Sequence, residues 1–260
     1  MGRRTDNAKN LYIEGILDGR PREAVERYTG DRYTQHSTGV ADGREGFVEF
    51  FEDFLARNPD RDIRIVRAFE DGDSVFLHAH QILDGGATQW VTADLFDTDE
   101  AGRIVEHWDV IQEYVDTNPS GRSMIDGPTE PTDLGKTEEN KALVRAFIED
   151  VLIGGQSERL SDYVSTEAYH QHNPAIADGL DGLAVALGAM PERGETMTYA
   201  QLHKLIGCGD FVAALSEMTM AGTPMATVDL FRVADGRIVE HWDAMEPIPS
   251  PDMAKNSGKF

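Results

Sequence analysis

One cysteine, six lysines and no apolar run approaching the ~20 residues of a membrane helix set the first limits on this 260-residue chain. The lone Cys208 excludes an intrachain disulfide and a cysteine-based zinc cluster, and in its Gly-Cys-Gly setting it reads as a small turn residue. The opening Met1-Gly-Arg-Arg-Thr-Asp-Asn has no apolar stretch behind its arginines, unlike a secretory signal, so a cytoplasmic location is expected. No Gly-rich phosphate loop, Gly-x-Ser-x-Gly elbow or His-Glu-x-x-His pair occurs, which removes the usual sequence support for nucleotide cofactors and serine hydrolysis.

The scarcity of lysine belongs to a wider imbalance. There are 47 acidic residues against 24 basic ones, a net charge of −23. Such a surface repels nucleic acid and anionic membranes, so neither is an expected partner. The acids are spread along the chain rather than gathered in one run, which fits adaptation to a salt-loaded solvent better than a docking site. A cationic partner is the competing reading. Hydrophobic residues make up 40% of the chain, enough for packed cores, and the length suggests two of them.

Comparing the chain with itself resolves that suggestion. Gly102-Arg-Ile-Val-Glu-His-Trp-Asp109 recurs unchanged at Gly236 to Asp243, and Thr92-Ala-Asp-Leu-Phe96 recurs as Thr227-Val-Asp-Leu-Phe231. Tyr33-Thr-Gln-His-Ser-Thr-Gly-Val-Ala-Asp-Gly43 answers to Tyr169-His-Gln-His-Asn-Pro-Ala-Ile-Ala-Asp-Gly179. Three blocks in the same order mean that a whole domain is duplicated: a first copy over 1–117 and a second over 137–260. Residues 118–136 hold three prolines, three glycines and no apolar periodicity, and read as a linker. Asn256-Ser-Gly-Lys-Phe260 faintly echoes Asn118-Pro-Ser-Gly-Arg, so both copies are expected to end in a similar extended flap.

Each copy opens with helical spacing. Leu11, Tyr12, Gly15 and Ile16 line one helix face, as do Leu143, Val144, Phe147, Ile148, Val151 and Leu152. Short helices follow at 22–28 and 158–163, then the extended Tyr-x-Gln-His segment, then helices at 47–55 and 180–187. The back halves alternate or are rich in β-formers, predicting strands over 63–68, 74–83, 88–97 and 103–112, and over 197–206, 211–220, 224–233 and 237–245. Helices first and an antiparallel meander afterwards define an α+β fold with a curved sheet around the helices.

Candidate chemistry sits on the strands. Side chains alternate between faces, so His107 shares a face with Asp109, and His241 with Asp243, while Trp108 and Trp242 point the other way as core. Asp94 and Asp229 fall among Leu-Phe in half-buried strands, where an ionised carboxylate is costly unless hydrogen-bonded or lining a pocket. If the two strands are neighbours, both aspartates face one cavity, and His36 or His172 from the extended segment can join them. A carboxylate with apolar walls, a nearby acid, and a His or Gln at the oxygen where charge develops make a proton-transfer constellation. For His107 and His241, a purely structural role is an equal alternative. Tyr33, Gln35, Tyr169, Gln171 and Asn173 are the candidate ligand-binding groups. His78 and His80 in copy one, and His170 and His172 in copy two, have the spacing of a metal pair, but no third ligand accompanies either pair, so no metal is expected.

Through Tyr-x-Gln-His, Ala-Asp-Gly, Asp-Leu-Phe (continued by Arg232 in copy two) and Gly-Arg-Ile-Val-Glu-His-Trp-Asp, both copies resemble the SnoaL-like polyketide-cyclase families of the NTF2-like superfamily, the branch of predicted aldol-condensation enzymes in particular. The resemblance implies a cone-shaped barrel of about three helices inside a strongly curved sheet, with a pocket at its open end. It also implies cofactor-free and metal-free chemistry in which a late-strand aspartate, matching Asp109 and Asp243, removes a proton α to a carbonyl. The family's companion histidine falls at Asp94 and Asp229, a departure from the pattern, and the segment histidine falls at His36 and His172. Copy two, with Gln171-His172-Asn173-Pro174, lies nearer the family pattern. NTF2-like domains commonly pair through their sheets, which implies an intramolecular pseudo-dimer and leaves further homo-oligomerisation open. The expected activity is aldol, cyclase or isomerase chemistry on a small carbonyl compound. The alternative is a non-catalytic NTF2-like protein that holds a small ligand or is purely structural.

Overall fold

Alternating strands with one apolar face must lie on a core, and the computed structural model, which describes residues 2–192 and 196–260, forms such a sheet in each of two compact units. In the first unit, α1 (Arg3–Tyr12) passes into a π-helical turn (Ile13–Leu17), followed by α2 (Pro21–Tyr28), β1 (Thr29–Gln35) and α3 (Gly43–Arg57). Four strands complete it: β2 (Arg61–Asp71), β3 (Ser74–Leu83), β4 (Thr88–Thr98) and β5 (Ile104–Glu113). The second unit repeats this with α4 (Thr137–Phe147), a π-helical turn (Ile148–Ile153), α5 (Leu160–Tyr163), β6 (His170–Gln171) and α6 (Gly179–Glu192). Its meander is β7 (Met197–Cys208), β8 (Phe211–Met220), β9 (Thr223–Ala234) and β10 (Arg237–Pro247).

The sheet orders are β1-β5-β4-β3-β2 and β6-β10-β9-β8-β7. Each meander is antiparallel, as the alternation predicts. The Tyr-x-Gln-His segment adds to it as a strand parallel to the last one. Both units are α+β, and the apolar helix faces seen in the sequence fill the sheet. Ala8, Leu11, Tyr12 and Ile16 pack with Val25, Phe47 and Phe54 against Val75, Leu77, Ala79 and Phe96. Val144, Phe147, Ile148 and Val151 meet Val212, Ala214, Phe231 and Ile238 in the same way.

The repeated Ala-Asp-Gly-x-x-Gly sets the entry to α3 and α6. A Cβ on Gly46 or Gly182 would lie 2.1 and 2.3 Å from the carbonyl oxygens of Ala41 and Ala177, so only glycine lets the helix start press on that loop. The aspartates of the same motif turn back: Asp42 and Asp178 each accept the backbone N–H of Gln35 and Gln171 at 2.8 Å. The loop thereby fixes the strand residue that carries a glutamine into each core.

Domain boundaries differ from the expectation. The first compact unit comprises the chain up to Glu113 together with Pro249–Phe260, and the second comprises Tyr114–Ile248. The stretch read as a linker therefore folds onto the second unit, and the tail read as part of copy two folds onto the first. Their polar, Pro-rich composition looks like a linker because they attach through side chains and isolated main-chain bonds rather than through a ladder.

Leu77 is fully buried on β3. Leu77→Ala should destabilise the first unit by about 2–5 kcal/mol through lost burial and the cavity left behind. Urea unfolding followed by the fluorescence of Trp90 and Trp108 would show this as an earlier transition, and an unchanged midpoint would contradict the packing described.

Candidate functional site

The register makes neighbours of the two aspartates in each unit. Asp94 stands directly opposite Asp109, and Asp229 opposite Asp243. In each unit one oxygen from either carboxylate and one nitrogen of the intervening histidine, His107 or His241, lie within 4.8 Å of one another. Trios of this composition could hold a metal ion, but the hydrogen bonds present already account for their arrangement.

In the second unit, His241 Nε2 lies 2.9 Å from Asp229 Oδ1, and its Nδ1 lies 3.0 Å from Gln171 Oε1. Gln171 Oε1 also accepts the backbone N–H groups of His172 and Asn173, each at 3.0 Å, so this end of the amide is the oxygen and His241 Nδ1 must be a donor. Gln171 Nε2 in turn donates to the Tyr169 hydroxyl at 3.2 Å, and the tyrosine proton has no acceptor among the described residues. Tyr199 donates to Asp229 at 3.2 Å. Asn173 Nδ2 donates to Asp243 Oδ2 at 2.6 Å, whereas Asp243 Oδ1, although buried, has no hydrogen-bond partner among the described residues.

These groups open onto a cavity of about 320 Å³. Tyr169, Gln171, Asn173, Tyr199, Asp229, His241 and Asp243 contribute its polar atoms; side chains such as Phe147, Val151, Leu183, Met220 and Met245 form its apolar wall. Burial, joined by the charge of Asp229, raises the Asp243 pKa above its ordinary value, against the opposing pull of His241 and Asn173. For His241, burial disfavours the charged ring, but the bond to Asp229 and the charges of Asp243 and Asp229 outweigh it and raise the pKa. Burial, helped by the two aspartates, raises the Tyr169 pKa far above the normal phenol value, so its hydroxyl stays protonated.

The first unit has the same frame with different details. His107 bridges Asp94 Oδ1 and Gln35 Oε1, both at 2.9 Å. Asp94 takes further bonds from Tyr12 at 2.7 Å and Thr92 at 2.9 Å. The partner of Asp109 is Lys259 from the tail, whose Nζ lies 3.0 Å from Oδ1, with both side chains buried. Burial pushes Asp109 up, but the Lys259 charge, aided by His107, brings its pKa below the usual carboxylate value. Tyr33, Gln35, His107 and Asp109 line a cavity of about 260 Å³ walled by Phe47, Phe50, Phe51, Trp90 and Phe96.

The structure brings together the aspartates, His107 and His241, and the Tyr and Gln of each segment, but not the segment histidines. His36 and His172 lie on the opposite side of the last strand, which corrects the expectation that they join the carboxylates. His172 stacks on Trp242 at 4.6 Å and bonds to Glu240 Oε1 at 3.0 Å and to the Ser123 carbonyl at 2.7 Å. His36 does the same with Trp108 at 4.7 Å, Glu106 at 3.1 Å and the Gly258 carbonyl at 2.9 Å. Adjacent strand residues point oppositely, so once Gln35 and Gln171 face inward their following histidines must face out. There they clasp the two straps, residues 114–126 in the second unit and 255–260 in the first. The paired histidines read against a metal role also have other partners: His78 meets Arg67, His80 meets Gln89, and His170 meets Arg122.

Tyr12, Tyr199 and Lys259 carry polar roles that the sequence reading missed. The tyrosine serving the buried aspartate comes from α1 in the first unit and from β7 in the second, so self-comparison pairs neither with the other. Lys259 stands in a short polar tail, and nothing in its sequence neighbours marks it as buried.

A sequence pattern for the SnoaL-like domain matches residues 11–107 and again 144–241. No curated protein sequence matches the chain. Among solved structures, IdmH of Streptomyces antibioticus, provisionally assigned as a polyketide cyclase, is 21% identical with a TM-score of 0.33, over 42% of this chain and 92% of that one. An LEH-like epoxide hydrolase of M. tuberculosis is 19% identical with a TM-score of 0.35, over 43% and 85%. A protein of unknown function with a cystatin-like fold from Xanthomonas campestris is 25% identical with a TM-score of 0.35, over 46% and 98%.

The hydrogen bonds around His241 predict its titration. Its imidazole should titrate above 6.5, and Asp229→Asn should lower that value by about one unit or more. A pKa raised on folding contributes stability that is full below the unfolded value and is lost as pH rises through the folded one, so the variant should also lose less stability than the parent above pH ~6.5. Imidazole NMR titration tests this, and a wild-type His241 that titrates at or below 6.5 would contradict the assignment.

Proposed function

We propose, from the premise that this chain belongs in both halves to the SnoaL-like domain family, that the second unit is an acid/base enzyme that removes a proton α to the carbonyl of a small apolar compound. One observation carries the reading: Asp243 Oδ1 is a buried carboxylate oxygen without a partner among the described residues, in a cavity whose other polar groups are mostly engaged. An unsatisfied oxygen there costs about 1–3 kcal/mol or more, which a substrate C–H proton becoming an O–H would recover.

In the proposed step, Asp243 Oδ1 takes the α proton, and the C–H electron pair moves into the carbonyl to leave an enolate. The developing oxyanion needs a neutral donor already in place, and the Tyr169 hydroxyl has an uncommitted proton. Behind it runs a chain: Asp229 holds His241, His241 donates to Gln171, and Gln171 donates to Tyr169. Charge on the imidazole polarises that chain toward the substrate oxygen. The enolate carbon then attacks a second carbonyl, whose oxygen takes the proton from Asp243 to give an aldol product, or the enolate takes that proton back at another carbon, giving an isomer. No electrons enter or leave the substrate, so the chemistry calls for no redox cofactor. The apolar wall selects against charged substrates and keeps the Asp243 pKa high enough to make it a useful base.

Hydrogen–deuterium exchange at the α carbons of 2-tetralone in D₂O would report the proton abstraction without knowledge of the natural substrate. Asp243→Asn should slow it by about 10²- to 10⁴-fold, and Tyr169→Phe by about 10- to 10³-fold. The rate should rise with pH through a limb above 3.8, as Asp243 ionises, and fall above 6.5, as His241 loses its proton. Exchange that is equally fast in Asp243→Asn would remove the assignment, and tight binding without exchange would favour a ligand-holding role.

A further inference from the structure

The two cavities differ at the residue that faces the late-strand aspartate. Each strap is clasped by a histidine through a main-chain carbonyl, Ser123 for His172 and Gly258 for His36, which aligns the residues that follow, Met124 and Lys259. Both are buried, yet one is apolar and the other cationic. Asp243 meets the neutral amide of Asn173, whereas Asp109 meets the ammonium of Lys259; the Asn173 position is Ser37 in the first unit. A second difference lies at the tyrosine. Tyr169 receives a bond from Gln171 at 3.2 Å, but the Tyr33 hydroxyl, on a residue only 3% exposed and lining the first cavity, has Gln35 as its side-chain neighbour and no bond of that length among the described residues.

We infer that the first cavity is a binding site without turnover, held so by Lys259, for a neutral aromatic compound that carries a hydroxyl group. An ion-paired carboxylate is a poor base, but it remains a good acceptor for an O–H. A buried phenol with a glutamine side chain beside its hydroxyl, but beyond close bonding range, gains from a polar group that enters, and one hydroxyl can both accept from Tyr33 and donate to Asp109. Lys259 and Asp109 cancel one another's charge, so this end of the cavity offers little attraction to a charged ligand of either sign. Phe47, Phe50, Phe51, Trp90 and Phe96 line the space, a wall that favours ring edges and faces over aliphatic chains. Besides Lys259, the ionisable groups facing Asp109 are His107 on its own strand, Asp94 across on β4, Tyr33 on β1 and Tyr12 on α1.

Only the contrast with the second cavity rests on the acid/base reading, and the test is independent of turnover. The full chain, methyl-labelled, is titrated with 2-naphthol, reading Leu11 and Ile16 for the first cavity and Val151 and Met245 for the second. Leu11 and Ile16 should shift to saturation, naphthalene should bind there about tenfold more weakly, and Tyr33→Phe should lose about three- to tenfold. Lys259→Met, which copies the residue of the second strap, should move the Asp109 carboxyl titration upward by ¹³C NMR, while Lys259→Arg should leave it low. Shifts confined to Val151 and Met245, equal affinity for naphthalene, or an Asp109 titration indifferent to Lys259→Met would each overturn the inference. Loss of α-proton exchange in the second unit would leave every one of these readouts in place.

Discussion

A carboxylate in the middle of a sheet must be hydrogen-bonded, and Asp94 and Asp229 impose that requirement on everything around them. Each takes an imidazole from the neighbouring strand and a tyrosine from the surrounding core. The imidazole then needs an acceptor on its other nitrogen, which Gln35 or Gln171 provides. That glutamine must be held at one height, and the Ala-Asp-Gly loop holds it by its backbone N–H. The three sequence blocks that recur in both halves are thus parts of one hydrogen-bonded assembly, distributed over β1, β4 and β5 or over β6, β9 and β10.

The outer face of the same strands does different work with the same motif. In Glu-His-Trp-Asp, the histidine and aspartate face the cavity, while the glutamate and tryptophan build a seat for the histidine of Tyr-x-Gln-His. That seat captures a strap: in the second unit Trp242 donates to the Asp126 carbonyl, and in the first Asn256 caps the carbonyls of Ser37 and Val40. The straps are where the halves diverge. Only the first unit's strap puts a charge beside its aspartate: Lys259 holds Asp109 as a fixed carboxylate with a lowered pKa, whereas Asp243, buried near Asp229 and bonded to Asn173, has a raised one.

Much of the fold was legible because periodicity is a local property. Every strand of both meanders and the helices that fill them follow from alternation and helical spacing, within a few residues at their ends. The face-sharing of His107 with Asp109 and of His241 with Asp243 follows from pleating alone. Pleating also contains the reason why His36 and His172 turn outward, since they adjoin inward-facing glutamines, but the parallel pairing of that short segment with the last strand had to be seen before its facing was decided.

From the sequence alone come the duplication, the α+β class and the types of residue that meet at the buried aspartates, all of which depend on neighbours a few positions apart. Which tyrosine reaches each aspartate, where the two polar straps fold, and that Lys259 neutralises Asp109 across 150 positions of chain were decided by tertiary structure. These contacts join single residues from unrelated elements, so no repeating pattern marks them, and their strength comes from a desolvated environment that exists only once the core has closed.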